Sequence, residues 1–294
     1  MRRRPLAAAA GLVADMALGE PPVRPHPVSV FGAWMRMVEG RIYRDRRSAG
    51  VAHACVGVAT GAAAGALLHS TAASTYLAVA QHELTRAAAG VRDSLVAGDI
   101  VEARRRLPAL VGRDVDDLDD KEVARAVVES VAENCVDAVV APVLWAAVGG
   151  APAVLAYRAA NTLDSTVGHR SPRYRRYGWA SARLDDAANF VPARLTAALV
   201  MTVRPRCAGA VWRATRGDAR AHPSPNAGVA EAAYAAALGL RLGGPNRYQG
   251  RLEVRPSLGD GRPPEPGDID RAVALCRDVS VLLAALLAAS GVLG

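Results

Sequence analysis

Between Glu122 and Arg194, carboxylates and carboxamides recur inside a segment built mainly of alanine and valine. They fall into three clusters. The first is Glu129, Glu133, Asn134 and Asp137; the second runs Asn161-Thr162-Leu163-Asp164-Ser165. The third is Asp185, Asp186 and Asn189, followed by Pro192-Ala193-Arg194-Leu195. Polar and ionised groups set in apolar surroundings are costly unless something binds them, so the clusters are read as parts of one site. The background favours helix, because alanine, leucine and arginine abound, β-branched runs are few and aromatics are 4% of the chain. The expected fold is therefore all-α.

Spacing sharpens this reading. A helix starting near Asp119 places Arg125, Glu129, Glu133 and Asp137, each four apart, along one face. Like charges at that spacing repel by roughly 0.2–0.5 kcal/mol per pair, so the acidic seam needs water, arginine partners or a bound cation. Asn161 with Asp164, and Asp185 or Asp186 with Asn189, are helical pairs that can address one bound group, although each pair taken singly also suits a cap or a turn. Oxygen-rich sets of this kind suit Mg2+. Arg158, Arg170, Arg173, Arg175, Arg176, Arg183 and Arg194 lie close by in sequence, and arginine binds phosphate bidentately. There is no Walker A loop, no G-x-G-x-x-G and no H-E-x-x-H, so a nucleotide site would be of an unusual kind.

The apolar segments fall at about 5–18, 51–89, 138–157, 187–203 and 271–293, with polar stretches at 92–120 and 204–268. Val51 to Leu68 has the length of a bilayer span and is rich in glycine and alanine. With Ser70 to Ala89 it is expected to form a helical hairpin, whose ends lie on one basic side between Arg36–Arg47 and Arg92–Arg113. Gly149-Gly150-Ala151-Pro152 should divide Ala138–Tyr157 into two helices. The first residues, opening Arg2-Arg3-Arg4, read as a retained helix with its basic end in the cytoplasm, since Asp15 interrupts the apolar run and a Pro-rich turn follows. Phe31–Tyr43 reads as an amphipathic helix, and Leu252–Val254 as a short strand. The expectation is a polytopic membrane helical bundle with basic cytoplasmic loops, forming a single domain over 1–294.

The net charge of +8 is carried by arginine, Lys121 being the only lysine. The arginines sit in separate loops without interleaved aromatics, which argues against nucleic acid. Cys55, Cys135, Cys207 and Cys276 form no C-x-x-C pair, which argues against a disulfide framework or a zinc site.

At these residues the chain resembles the CobD/CbiB family of cobalamin biosynthesis, the adenosylcobinamide-phosphate synthases. The matching segments span most of the sequence. They include Gly19-Glu20-Pro21 with His26-Pro27-Val28, Gly112-Arg113-Asp114, Arg125 through Asn134 with Asp137, and Asn161-Thr162-Leu163-Asp164-Ser165. Further on come Ala182-Arg183-Leu184-Asp185-Asp186 with Asn189, Pro192-Ala193-Arg194-Leu195, Ser224-Pro225-Asn226-Ala227-Gly228 with Glu231, and Leu242-Gly243-Gly244-Pro245 with Tyr248. Thr166 and His169 depart from the residues the family often carries there.

The resemblance implies a multi-pass inner-membrane enzyme with its active site on the cytoplasmic side. It implies ATP- and Mg2+-dependent amide ligation of (R)-1-amino-2-propanol, or its O-phosphate, to adenosylcobyric acid, giving adenosylcobinamide or its phosphate. Other late cobalamin-assembly enzymes would be partners. Within that reading Glu129 or Glu133, with His26 as a further candidate, would serve as base. Asp137, Asp164, Asp185 and Asp186 would hold metal. Arg113, Asn134, Asn161, Ser165, Arg183, Asn189, Arg194, Asn226 and Glu231 would bind substrate or phosphate. Without the resemblance, the residues also admit a Mg2+-dependent membrane prenyltransferase or a non-enzymatic transporter or sensor.

Overall fold

A computed structural model of the protein describes residues 3–21, 23–169, 171–248 and 250–293; Arg2 and Arg170 lie outside the described residues. The chain is mostly helical. In order, the helices are α1 (Arg3–Leu18), α2 (Pro27–Ile42), α3 (Arg47–Leu68), α4 (Thr71–Ala78), α5 (Gln81–Val96), α6 (Ile100–Arg106) and α7 (Asp120–Cys135). They continue as α8 (Ala141–Leu163), α9 (Tyr174–Tyr177), α10 (Trp179–Val203), α11 (Ala208–Arg216), α12 (Ala227–Leu238) and α13 (Pro266–Leu293). A two-stranded antiparallel hairpin, β1 (Leu242–Tyr248) and β2 (Arg251–Leu258), precedes α13. The chain divides into two compact units: unit 1 holds 1–80, 137–190 and 283–294, and unit 2 holds 81–136 and 191–282.

In unit 1, α8 packs against α1, α3 and α4. The reason lies in the glycines of α3. A Cβ at Gly61 would fall 2.4 Å from the Leu155 carbonyl oxygen, and one at Gly65 would fall 2.2 Å from that of Ala151. Small residues four apart thus let two backbones approach, as in lipid-embedded helix pairs. Elsewhere α3 exposes Val51, Val56, Leu67 and Leu68. A helix that buries glycine and exposes valine and leucine is arranged for apolar surroundings outside as well as inside. Among the described residues, three helical runs are long and apolar enough to cross a membrane: Arg47–Leu68, Asp120–Gly168 and Pro266–Gly291. The apolar stretch at 5–18 forms the 16-residue α1, shorter than the roughly 20 residues a span requires. The stretch at 187–203 belongs to the charged α10.

The structure differs from the sequence expectation in three places. Ser70–Ala89 is not the second arm of a hairpin with α3, because the chain turns extended at Val79 and divides it into α4 and α5; α3 packs chiefly on α8. The expected single strand at Leu252–Val254 is part of a full hairpin, so the fold is not purely α. Glycines set that hairpin. Gly243 and Gly244 have φ of +80° and +95° beside an irregularity in the register, a backbone that L side chains resist. Lastly, α2 starts at Pro27, not Phe31, because His26 caps it: its Nδ1 accepts from the Val28 amide at 3.3 Å. The break at Gly150 (φ +71°, ψ −158°) is present as expected inside α8.

Candidate active site

Unit 2 gathers the acids of α7 under the β hairpin. Asp119 caps α7 and Glu122 returns the bond, a capping box that starts the helix where the acidic run predicts. Three turns on, Glu129 is buried with both oxygens engaged: Oε2 accepts from Arg113 Nη2 at 2.5 Å and Oε1 from the Gly243 amide at 2.8 Å. Arg113 also donates to Asn246 Oδ1 at 2.6 Å. Arg125 reaches the carbonyl oxygens of Gly243 and, at 3.0 Å, Pro245. Of the three outlets open to an acidic seam, Glu129 has taken arginine, and it ties α7 to the hairpin.

Glu133, one turn further, lines a cavity of about 90 Å³ together with Arg113, Glu129, Ser130, Glu231, Tyr248 and Arg255. Glu231 comes from α12 and is buried, and neither of its carboxyl oxygens has a hydrogen-bond partner. Arg255 Nη1 stands 3.9 Å from Glu231 Oε1, and His222 Nε2 stands 3.8 Å from it, both too far to bond. Burial, reinforced by the charges of Glu129 and Glu133, pushes the Glu231 carboxyl well above the usual carboxylate range. Burial pushes the neighbouring His222 imidazole down, which favours its neutral form. Arg255 donates from Nη2 to the Tyr248 hydroxyl at 2.6 Å, while its Nε is buried without a partner. A buried carboxyl and a buried guanidinium nitrogen, both unsatisfied beside one small cavity, are the unusual feature of unit 2, since such atoms ordinarily find partners.

Asn226 stands at the start of α12. Its side-chain oxygen accepts from Arg194 at 2.7 Å, and the first amide of α12, that of Ala227, donates to Ser224 Oγ at 3.2 Å instead. Asn134 bonds back to Ser130 on its own helix.

Unit 1 holds the remaining clusters. After Cys135 the helix widens into a π turn over Val136–Val140. Asp137 stands in this turn. Its Oδ2 accepts from Asn161 Nδ2 at 3.2 Å, and the same nitrogen donates to Asp185 Oδ1 at 3.2 Å. Asn189 donates to Asp185 Oδ2 at 3.0 Å, and the Tyr157 hydroxyl lies 2.8 Å from Asn189 Oδ1. Arg158 reaches Asn161 Oδ1 at 3.3 Å, with its Nε buried and unpartnered. Asp137, Asn161, Asp185 and Asn189 therefore form one network. Asp186 instead pairs with Arg183 at 3.5 Å. Asp164 packs so close over Gly168 that a Cβ there would fall 1.8 Å from its Oδ1. Ser165 bonds locally to the Thr162 carbonyl, and His26 is the cap of α2. Among the described residues no three His, Cys, Asp or Glu side chains are grouped to hold a metal ion. The pair Asp137 and Asp185, converging on one carboxamide, offers the hard oxygen donors that Mg2+ takes when phosphates and waters complete its shell.

Arg255, Tyr248, His222 and Asn246 were not among the site residues expected from sequence. Tyr248 belongs to a family-like segment, which is a signal of sorts. Arg255 falls in the polar stretch 204–268, whose composition signals no site.

The chain matches the model of a family described as CobD/Cbib protein over residues 8–276. Among its relatives, the cobalamin biosynthesis protein CobD of Mycobacterium tuberculosis (strain H37Rv) is 49% identical over 291 residues, covering 94% of this chain and 92% of the relative. The protein of the same name from Geobacter metallireducens is 44% identical, covering 84% and 83%. That from Halalkalibacterium halodurans is 38% identical, covering 92% and 91%. No solved structure matches the chain.

Proposed function

This chain belongs to the CobD/CbiB family, and from that premise we propose that it is a membrane ligase of cobalamin biosynthesis. It joins (R)-1-amino-2-propanol O-phosphate to the free propionate of adenosylcobyric acid, at the expense of ATP and with Mg2+. The observation that carries this reading is the pair of unsatisfied buried groups at the unit 2 cavity, Glu231 and Arg255 Nε. An ammonium complements the first and a phosphate the second. The phosphorylated amine supplies both; the free amine supplies only one.

The reaction follows in two steps. The propionate carboxylate takes the terminal phosphoryl group of ATP, releasing ADP. The amine, once deprotonated, attacks the acyl carbon; the C–N bond forms, the C–O bond to phosphate breaks, and inorganic phosphate leaves. Glu231 holds the incoming ammonium. Glu133, which is accessible and lines the same cavity, takes its proton as general base, a role within reach of a carboxylate tuned by its neighbours. Glu129 keeps Arg113 and the hairpin in place. In unit 1, Asp137 and Asp185 would hold Mg2+, which would offset charge on nucleotide phosphates.

Membranes carrying the protein, supplied with adenosylcobyric acid, the aminopropanol phosphate and Mg-ATP, should form the corrinoid amide. No product beside an active control would reject the ligase, and a prenylated product would favour the prenyltransferase reading. Glu133→Gln should accumulate normally yet lower the rate by about 100-fold or more, the usual worth of a general base; an unimpaired rate would remove Glu133 from the chemistry. Asp137→Asn should raise the Mg2+ concentration for half-maximal rate by about tenfold or more, by analogy with altered ligand shells. An unchanged Mg2+ dependence would place the metal elsewhere.

A further inference from the structure

Unit 1 carries a second polar concavity that the proposed chemistry does not use. Arg46 and Arg47 at the start of α3, with Arg175 and Arg176 of α9, line a cavity of about 460 Å³. The two arginine pairs are brought together by packing beneath them. Ala49, Val167 and Tyr177 form a buried cluster, with Tyr43 and Tyr174 against it. Gly50 lies so close to Tyr177 that a Cβ there would fall 1.8 Å from the Tyr177 carbonyl oxygen. Arg47 stacks over the Trp179 ring at 5.0 Å.

Two neighbouring arginines pair with acids: Arg173 sits 2.9 Å from Glu39, and Arg183 is 3.5 Å from Asp186. Among the described residues, none of the four cavity arginines has an acidic partner. The first amides of α3 add to the positive field, because Arg46 at the cap position provides no side-chain bond to them. Four guanidinium groups facing one space repel one another, and packing that holds them there is explained if an anion offsets them. Their planar forks match phosphate oxygens.

We propose that this concavity binds a phosphate-bearing anion of two or more negative charges, or a phosphodiester headgroup of the same oxygen chemistry. Two sources supply it. Because α3 is long enough to span a bilayer, its first turn is where the phosphate of an anionic lipid would lie; a soluble polyphosphate offers the same groups.

The test uses the full-length protein in nanodiscs. In phosphatidylcholine alone, it is titrated with inorganic pyrophosphate by calorimetry. In nanodiscs that include phosphatidylglycerol, the lipids retained through detergent exchange are identified by native mass spectrometry. Saturable pyrophosphate binding identifies the soluble source, and selective retention of phosphatidylglycerol identifies the lipid source. In whichever arm binds, the fourfold variant R46Q/R47Q/R175Q/R176Q should weaken binding by about tenfold or more, the worth of a charge-assisted contact. Absence of binding in both arms, or binding that the fourfold variant leaves unchanged, overturns the proposal. The four side chains are exposed, so the variant should keep the thermal midpoint of the parent. Should it not accumulate, R175Q/R176Q alone is read by the same criterion.

Discussion

Glu231→Gln is expected to raise the KM for the amine by about 10–100-fold, the loss of a hydrogen bond to a charged group, while making the protein more stable at alkaline pH. The two effects have one origin. In the resting protein the Glu231 carboxyl is buried without a hydrogen-bond partner and close to Glu129 and Glu133, so its affinity for a proton is raised. A raised carboxyl binds more protons folded than unfolded. Its contribution to stability is therefore fully present below the ordinary carboxylate value, about 4.3, and is lost as pH rises through the raised value. Glutamine does not titrate, so the stability of the variant relative to the parent should grow between about pH 5 and 8. His222 acts in the opposite sense: its lowered value costs stability as pH falls below about 6.5, so the Glu231 difference is read on the rising side of the curve. Thermal midpoints against pH for the two proteins measure this. Parallel curves would mean that Glu231 has a partner in solution and is not an unsatisfied acid.

Arg113→Met should destabilise unit 2 by about 3–5 kcal/mol, the cost of leaving a buried charge without its partner. Arg113 and Glu129 have side chains 5% and 2% exposed, and they meet at 2.5 Å. Without the guanidinium, Glu129 retains only the Gly243 amide, and Asn246 loses its strongest donor. The hairpin hangs on these bonds, so protease cutting between 242 and 258 should accelerate with the loss of stability. The double variant R113M/E129L should recover much of the deficit, because an apolar pair of similar volume replaces a desolvated ion pair at little cost. A single-variant loss below about 1 kcal/mol, the range of a surface pair, would show that the pair is solvated.

How far this arrangement can be read from sequence depends on the range of the interaction. The start of α7 is legible because Asp119 and Glu122 are three apart and cap locally. The break at Gly150 is legible because Gly149-Gly150-Ala151-Pro152 allows little else. The seam through Glu129 and Glu133 follows from a four-residue spacing. The π turn at Val136–Val140 leaves no compositional trace. The hairpin is only half legible: Leu252 and Val254 alternate with charged residues, but Gly243 and Gly244 resemble a helix stop until their positive φ values are seen. Arg255 and His222 become site residues only through the packing of α12 and the hairpin, which no local pattern encodes. His26 shows the converse. Set between prolines, it begins α2 through a local cap that residue type alone does not announce.

The central claim is that the unit 2 cavity receives an ammonium at Glu231. Calorimetric titration of the purified protein with (R)-1-amino-2-propanol O-phosphate, without ATP or corrinoid, in buffers of different ionisation enthalpy, counts the protons exchanged on binding. An ammonium arriving beside a protonated carboxyl should expel that proton, so the account predicts release of about one proton per amine bound near neutral pH, and none in Glu231→Gln. Binding of equal affinity in both proteins with no proton released would contradict it.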